Sequence, residues 1–584
     1  MKKCIIFGLA IIPSIIFSGC TGSSLDIQQV RQLEQDRQLT CESTAPDRCA
    51  ILSRFQELAD EAAVSDPALH YVSLFDTGED ELLARIHMIR TARESIVMQT
   101  YIYDDDQVGL MLYHELLTAA RRGVKVRMIL DQPGTYMTSD KVASMAMGHE
   151  NLQIKFFSPL MNRGGKSTTR EIGTLILDFE TLNERMHNKL FAVDRRMAIV
   201  GGRNIKNSYF GHGEEINFKD LGMLAIGPVV EKIYESFDIF WNHEKCVNVL
   251  ELPDIAAAAL ERETTGRSVR VDYTAASQFA WLNEAANAYS IFDVRPRLTA
   301  YPVKRIEYTA DWPVKNLDTP EASQWDSTER IKEIVLSARQ SIIMQTPYLI
   351  HEFQGILDFG DSWRQHNVDI ALSTNSLASS DMLSIYAVTF KQRWHYLEEL
   401  NSRLYEFKPL PGDVLQMMPN RNGTEIPQQY EGPELCLHAK FFVVDNHISF
   451  VGSHNFDPRA NNLNTENGLI VWDDAVAKKL HQIFDRDTAP RNSWVAAHDP
   501  KLPVAGDISD KIASFSNSLP AFDLWPFYYS NNYNLKEDKT PLPPQHPDFY
   551  DHYINVGAFP EAEFIEQFTV RLFLAFGGIA QGLM

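Results

Sequence analysis

Two histidines are each followed two residues later by a lysine: His187 with Lys189, and His438 with Lys440. Each pair opens the same pattern, H-x-K-x4-D-x6-G-[GS]-x-N. It reads HNKLFAVDRRMAIVGGRNI over 187–205 and HAKFFVVDNHISFVGSHNF over 438–456, an offset of 251. One such match could be chance, and a lone histidine is more often structural than catalytic. Two matches in equivalent places of one chain point to a duplicated site. On a strand, residues i and i+2 share a face, so each imidazole projects beside its ammonium. Asn204 and Asn455 follow the next strand and can lie next to them. Two facing halves then offer two imidazoles, two ammonium groups and two carboxamides. That set suits a phosphodiester. The lysines and amides can neutralise phosphoryl oxygens. One imidazole can attack phosphorus while the other protonates the leaving alkoxide.

The elements that must hold these residues repeat as well. ARESIVMQTY at 92–101 returns as ARQSIIMQTPY at 338–348. Each follows a helical pattern: Leu82, Leu83, Ile86 and Ile89 after a Thr77…Asp80 capping box, and Ile331, Ile334, Val335 and Ala338 in the second copy. Each then runs through a helix to a further apolar strand, Val124–Leu130 or Val368–Leu372. Strands are expected at Leu190–Val193 and Ala198–Val200, and at Phe441–Val444 and Ser449–Val451. Alternating strands and helices give an α/β fold, with two pseudo-symmetric α/β sandwich halves in one chain. The organisation expected is a leader at 1–20, a lead-in at 21–70, a first half at 71–250, a bridge at 251–320, a second half at 321–490 and an extension at 491–584. In the bridge, Pro302 and Pro313 interrupt a weak pattern. The extension is rich in proline, asparagine and aromatics, and reads as a wrap over the surface or the membrane. Its last residues, 564–584, are apolar and amphipathic, suited to core packing or to a bilayer interface.

Composition narrows the partners. Net charge is −22, from 77 acids against 55 bases in 584 residues. A chain that lives on nucleic-acid phosphates usually carries a basic face, so a nuclease is disfavoured and no nucleic-acid partner is expected. Lys2 and Lys3 precede the apolar run 5–17, which ends in Ser18-Gly19-Cys20. This is a secretory signal, too short to span a bilayer. Cys41 and Cys49 suit a small disulfide loop in an oxidising compartment, with free thiols as the alternative. Cys246 and Cys436 read as core residues. No ligand cluster calls for a metal. Gly164-Gly165-Lys166-Ser167-Thr168 lacks the first glycine of a phosphate-binding loop and reads as a polar loop. Asp104-Asp105-Asp106 reads as a helix cap or a solvated run, not a calcium loop.

The paired motifs resemble those of the phospholipase D superfamily. More narrowly, RMHNK (185–189), YFGHGEE (209–215), AIGPVVE (225–231), TNSLAS (374–379), LHAK (437–440) and the run from GSHNFDPR to LNTE (452–466) resemble the C-type bacterial cardiolipin synthases, over roughly residues 70–480. The resemblance implies a phosphohistidine intermediate, with His187 as nucleophile and His438 as acid and base, or the reverse. It implies that an acid orients each imidazole, with Asp220 matching in the first half and Glu466 in the second. Asp194 and Asp445, with Gly201, Gly202, Gly452 and Ser453, then hold strand and turn. Gly222 stands where those relatives carry a second acid. The reaction implied is transphosphatidylation on phosphatidylglycerol, phosphatidylethanolamine or cardiolipin in a membrane, without a cofactor, by a monomer. A phospholipase D that releases phosphatidic acid is the alternative. The leader resembles a bacterial lipoprotein signal, with Phe17 in place of the usual Leu. It implies acylation at Cys20 and an extracytoplasmic, lipid-anchored envelope protein; Thr21 resembles the outer-membrane pattern.

Overall fold

The repeated strand–helix–strand pattern folds into two mixed sheets that face each other. The computed structural model describes residues 49–65, 69–165, 183–265, 279–315, 317, 319–350, 360, 362–418, 432–500 and 529–576. The leader, Cys20, Cys41 and residues 166–168 lie outside the described residues. In the first lobe, β1 (His70–Phe75) is followed by α1 (Gly78–Thr91), β2 (Ser95–Thr100), α2 (Gln107–Arg121), β3 (Lys125–Asp131) and β4 (Leu152–Phe157). Then come β5 (Leu190–Val193), β6 (Met197–Gly201), β7 (Ile216–Lys219), β8 (Gly222–Ile226), α3 (Val229–Asn242), β9 (Cys246–Asn248) and β10 (Tyr301–Val303). The sheet order is β10-β1-β8-β6-β5-β2-β3-β4-β9.

The second lobe repeats it. It contains β11 (Ile306–Ala310), α4 (Ser327–Leu336), β12 (Ser341–Gln345), β13 (Asp369–Asn375), α5 (Leu383–Trp394), β14 (Arg403–Phe407) and β15 (Glu434–Leu437). β16 (Phe441–Val444), β17 (Ile448–Gly452), β18 (Asn467–Trp472), α6 (Asp474–Asp487) and β19 (Ser493–His498) complete the repeat. Its order, β11-β18-β17-β16-β12-β13-β14-β19, matches β1 to β9 strand for strand. The expected strands are found with their bounds unchanged or shifted by one to three residues.

Strand alternation divides the apolar side chains between two layers. In β2, Ile96 and Met98 face the first lobe's own helices, whereas Val97 faces inward. The inward layer is a core shared by both lobes. It joins Val97, Leu190 and Ala192 of one to Ile343, Phe441 and Val443 of the other, with α3 and α6 completing it. A shared core fixes the lobes relative to each other, as a site built from both requires.

The described part of the extension contains regular structure. β20 (Ser530–Leu535) and β21 (Tyr553–Gly557) lengthen the second sheet beyond β19. The last described helix, α7 (Phe564–Phe576), packs on α5 through Val570, Phe573 and Leu574. No helix among the described residues is long and apolar enough to cross a membrane. The remaining local readings resolve simply. Thr77 caps α1 by accepting from the Asp80 amide. Asp106 caps α2, accepting from the Gly109 amide. The Gly164 and Gly165 amides both donate to Asp254 and are spoken for. Cys246 and Cys436 are buried free thiols, and Cys49 is disulfide-bonded.

Candidate active site

Each histidine is placed by a parallel strand pairing between lobes. β15 pairs with β7 in the register Leu437↔Lys219, which sets His438 against Asp220. The equivalent bridge, Met186↔Thr465, sets His187 against Glu466. Backbone bonds fasten both: the His438 amide donates to Lys219 O at 2.7 Å and the His187 amide to Thr465 O at 2.9 Å. The sequence puts the His-x-Lys triplets on strands. The structure puts them just before β5 and β16, outside the strands, and each lysine Nζ reaches back to the carbonyl of its own histidine.

The register crosses the acids over. His187 Nδ1 lies 2.9 Å from both carboxylate oxygens of Glu466. His438 Nδ1 lies 2.6 Å from Asp220 Oδ2. This corrects the reading that gives each half its own acid: Asp220, in the first half, orients the second histidine, and Glu466 orients the first. Motif matching runs along one copy at a time, so it pairs groups within a copy. With Nδ1 donating to a carboxylate, Nε2 of each ring carries the lone pair for chemistry.

The lysines stand against these rings. Lys189 Nζ donates to His187 O at 2.8 Å. Lys440 Nζ donates to His438 O and lies 2.8 and 3.1 Å from the two ring nitrogens. All four side chains are buried. Burial, with Lys189, Lys440 and Arg459 nearby, drives the His187 imidazole well below its usual range. Burial and Lys440 bring His438 down to about 4. Burial lowers Lys189 to about 7 and Lys440 to about 8. Burial and the nearby lysines therefore favour the neutral form of both imidazoles. A phosphodiester anion placed among these cations reverses the local field and favours protonating one of them.

The two acids differ. Burial pushes Glu466 up to about 7 against the pull of Lys189. Burial works the same way on Asp220, but His438, Lys440 and Arg203 outweigh it and hold the carboxyl at about 2. Their immediate neighbours differ too. Ser453 Oγ donates to Glu466 at 2.5 Å. At the equivalent Gly202, a Cβ would stand 2.4 Å from Asp220 Oδ1, so glycine is required there. Gly201 and Gly452 admit close strand approach: a Cβ at either would stand 2.5 and 2.3 Å from Leu221 O and Asn467 O.

The motif aspartates clamp the chain. Asp194 accepts from the amides of Arg93, Glu94 and Ser95. Asp445 accepts from those of Arg339, Gln340 and Ser341. Asn204 accepts from the Ile102 amide and bonds Tyr209. Asn455 is buried with Oδ1 unpaired. Among the described residues no group of acids, histidines or cysteines is arranged to hold a metal.

Several contributors escape the motif reading. Asp131, at the end of β3, accepts from the Met186 amide and binds Arg185 in a buried pair. Asn375, at the matching end of β13, bonds both Leu437 N and Leu437 O. These two fix the residue before each histidine. Tyr101 sets its ring edge-on to His187, and Tyr209 and Phe218 do so to His438. Tyr101 ends the first repeat and Asn375 lies in TNSLAS, so the sequence carried a signal for both but no partner.

A family model described as "Cardiolipin synthase, PLD-like domain" matches residues 85–241 and 331–488, more than half of the chain. The chain belongs to this phospholipase D-like, cardiolipin synthase family. It is 30% identical over 448 residues to cardiolipin synthase C of Escherichia coli, covering 72% of this chain and 88% of that one. It is 23% identical over 437 residues to a cardiolipin synthase of Staphylococcus aureus, covering 74% and 69%. Among solved structures it resembles phosphatidylserine synthase of Haemophilus influenzae, with TM-score 0.49, 12% identity and coverage of 80% and 98%. Residues beyond 488, including β19 to β21 and α7, fall outside the matched family segments.

Proposed function

We propose that this protein is a phosphatidyltransferase of membrane phospholipids that works through a phosphohistidine, as a cardiolipin synthase does. The observation that carries the reading is the pair of crossed dyads, each imidazole oriented by the other lobe's carboxylate beside its own lysine. Family membership and the cardiolipin synthase relatives support the lipid substrate.

In the first step His187 Nε2 attacks phosphorus and the bond to the departing alcohol breaks. His438, protonated on substrate binding, gives its Nε2 proton to the leaving oxygen. In the second step His438 takes the proton of an incoming hydroxyl. That oxygen displaces His187, and the P–N bond breaks. A lipid glycerol as acceptor gives cardiolipin, whereas water gives phosphatidic acid. The unlike acids support these roles. The firmly ionised Asp220 stabilises an imidazolium at His438, as an acid–base requires. Glu466, closer to neutrality, suits a neutral nucleophile. Lys189, Lys440, Asn204 and Asn455 surround the phosphoryl oxygens.

The membrane is met from outside the cytoplasm through an acylated Cys20; the leader motif and a disulfide at Cys49 support this placement. The deciding experiment incubates the mature protein with labelled phosphatidylglycerol, with and without phosphatidylethanolamine. Cardiolipin formation lost in His187→Ala and His438→Ala is the expected result. Phosphatidic acid alone would make the protein a phospholipase D, and no lipid turnover would sink the reading. Quenching in denaturing detergent at mildly alkaline pH, where a phosphohistidine survives, assigns the roles: His438→Ala should retain label on protein and His187→Ala should not.

A further inference from the structure

Behind Asp220, away from His438, lies a buried charge cluster that the proposed reaction does not use. Glu81, Arg85 and Arg203 are 1%, 4% and 2% exposed. Arg203 occupies the variable position of the first motif, between Gly202 and Asn204. Its Nη1 donates to Glu81 Oε2 at 2.6 Å and to Phe75 O at 3.0 Å, and its Nη2 donates to the Asp220 carbonyl. Arg85 donates through Nε and Nη2 to Glu81 Oε1, at 3.0 and 2.7 Å. The Glu81 carboxylate thus holds two guanidinium groups, one of which grips the backbone of Asp220. A buried cation of this kind is tolerable only with its partner in place.

The space Glu81 fills belongs geometrically to another residue. Gly222 opens β8, two residues past Asp220. A Cβ built on it would stand 2.0 Å from Glu81 Oε2 and 3.6 Å from Arg203 Nη1. A carboxylate on a side chain at 222 would reach the same guanidinium from the strand. The second lobe holds its acid differently: Asp311, paired with Lys315, accepts from the Glu466 amide. There the matching Gly468 faces the ring of Phe450, with Cβ to Cε2 at 2.2 Å, and His454 replaces Arg203.

We propose that Glu81 is a positioning residue for the Asp220–His438 dyad: through Arg203 it fixes Asp220, supplying from α1 the carboxylate that position 222 lacks. The inference rests on the reading of His438 as a working histidine, but it does not depend on which substrate is used.

The two sites should therefore trade places. Glu81→Gln is expected to lower kcat about tenfold or more, a part of what acid–base catalysis contributes, with KM little changed and the pH profile shifted. Gly222→Asp alone should fail, because the new side chain meets Glu81. Glu81→Ala with Gly222→Asp should recover most of the activity lost in Glu81→Ala. Full activity in Glu81→Gln with an unshifted pH profile would overturn the proposal. So would a double variant no better than Glu81→Ala, or a Glu81→Gln variant that loses thermal stability alone. A readout without turnover keeps the test separate from the proposed reaction. In a His187→Ala background, the pH dependence of His438 carbethoxylation should shift in Glu81→Gln and return towards normal in the double variant. If wild type turns over no phospholipid but this shift is seen, the substrate reading fails and the role of Glu81 stands. If no shift is seen, the role of Glu81 fails.

Discussion

Two imidazoles in matching settings are held by carboxylates under opposite loads, and that difference is measurable. Glu466 is raised to about 7. Between its unfolded value and about 7 the folded chain binds a proton that the unfolded chain releases. Stability attributable to this group therefore falls as pH rises through that window, and the deficit is complete above it. Glu466→Gln removes the deficit. Denaturant unfolding should find the variant more stable than wild type at pH 8, by up to about 3 kcal/mol, with little gain at pH 5, while activity falls by at least about a hundredfold. Asp220 is lowered to about 2, so its contribution is present above its unfolded value and lost as pH falls through about 2. Asp220→Asn should cost about 2 kcal/mol at pH 7, and the difference should shrink below pH 4. Equal and pH-independent effects in the two variants would contradict this account. The residues themselves were legible in the sequence, because types and spacing survive in one dimension. Which acid serves which histidine was not, because it depends on strand register between segments more than two hundred residues apart.

At the level of elements, the motif is as much a folding instruction as a chemical one. Asp194–Arg195 and Asp445–Asn446 sit at positive φ, between 51° and 56°, in the three-residue turns that join Val193 to Met197 and Val444 to Ile448. Each aspartate then binds three amides at the start of the neighbouring strand. Asp445→Ala removes those bonds and leaves a Cβ-only residue in a left-handed turn. It should cost about 3 kcal/mol in denaturant unfolding while kcat at low temperature stays near wild type. A large loss of kcat in a folded variant would instead place Asp445 in the chemistry. The hairpins were readable because apolar runs flank a turn. The short pairing of β7 with β15 was not: INFK and ELCL carry no pattern that names each other, and only the shared core brings them together.

For the whole molecule, the extension gives the second lobe a feature that the first lacks. α7 buries Val570 against α5, but Phe564, Ile565 and Phe568 are 82%, 71% and 55% exposed. Exposed apolar side chains grouped in this way mark an interaction surface, and the proposed lipid substrate points to a bilayer interface. Glu561, Glu563 and Glu566 lie close by in sequence, so contact there would be apolar rather than electrostatic. Phe564→Asp with Phe568→Asp should weaken sedimentation with phosphatidylcholine vesicles, and the wild-type interaction should persist at high salt. Binding that vanishes with salt would place the contact elsewhere. The sequence marked this segment as amphipathic but left open whether its apolar face was buried. The structure uses one part of the helix for packing and leaves another part uncovered.

The crossed dyads also set a timetable. The bonds that orient the histidines close loops of 279 and 218 residues. Contacts of such separation form late, after each lobe has gathered its own sheet. A chain emerging from its N-terminus already carries His187 and Lys189, yet the acid that orients His187 arrives only with residue 466. Until then the nascent polypeptide holds half of a reactive constellation with no means to fire it. The order in which its residues appear thereby keeps the site incomplete until the second half has been made.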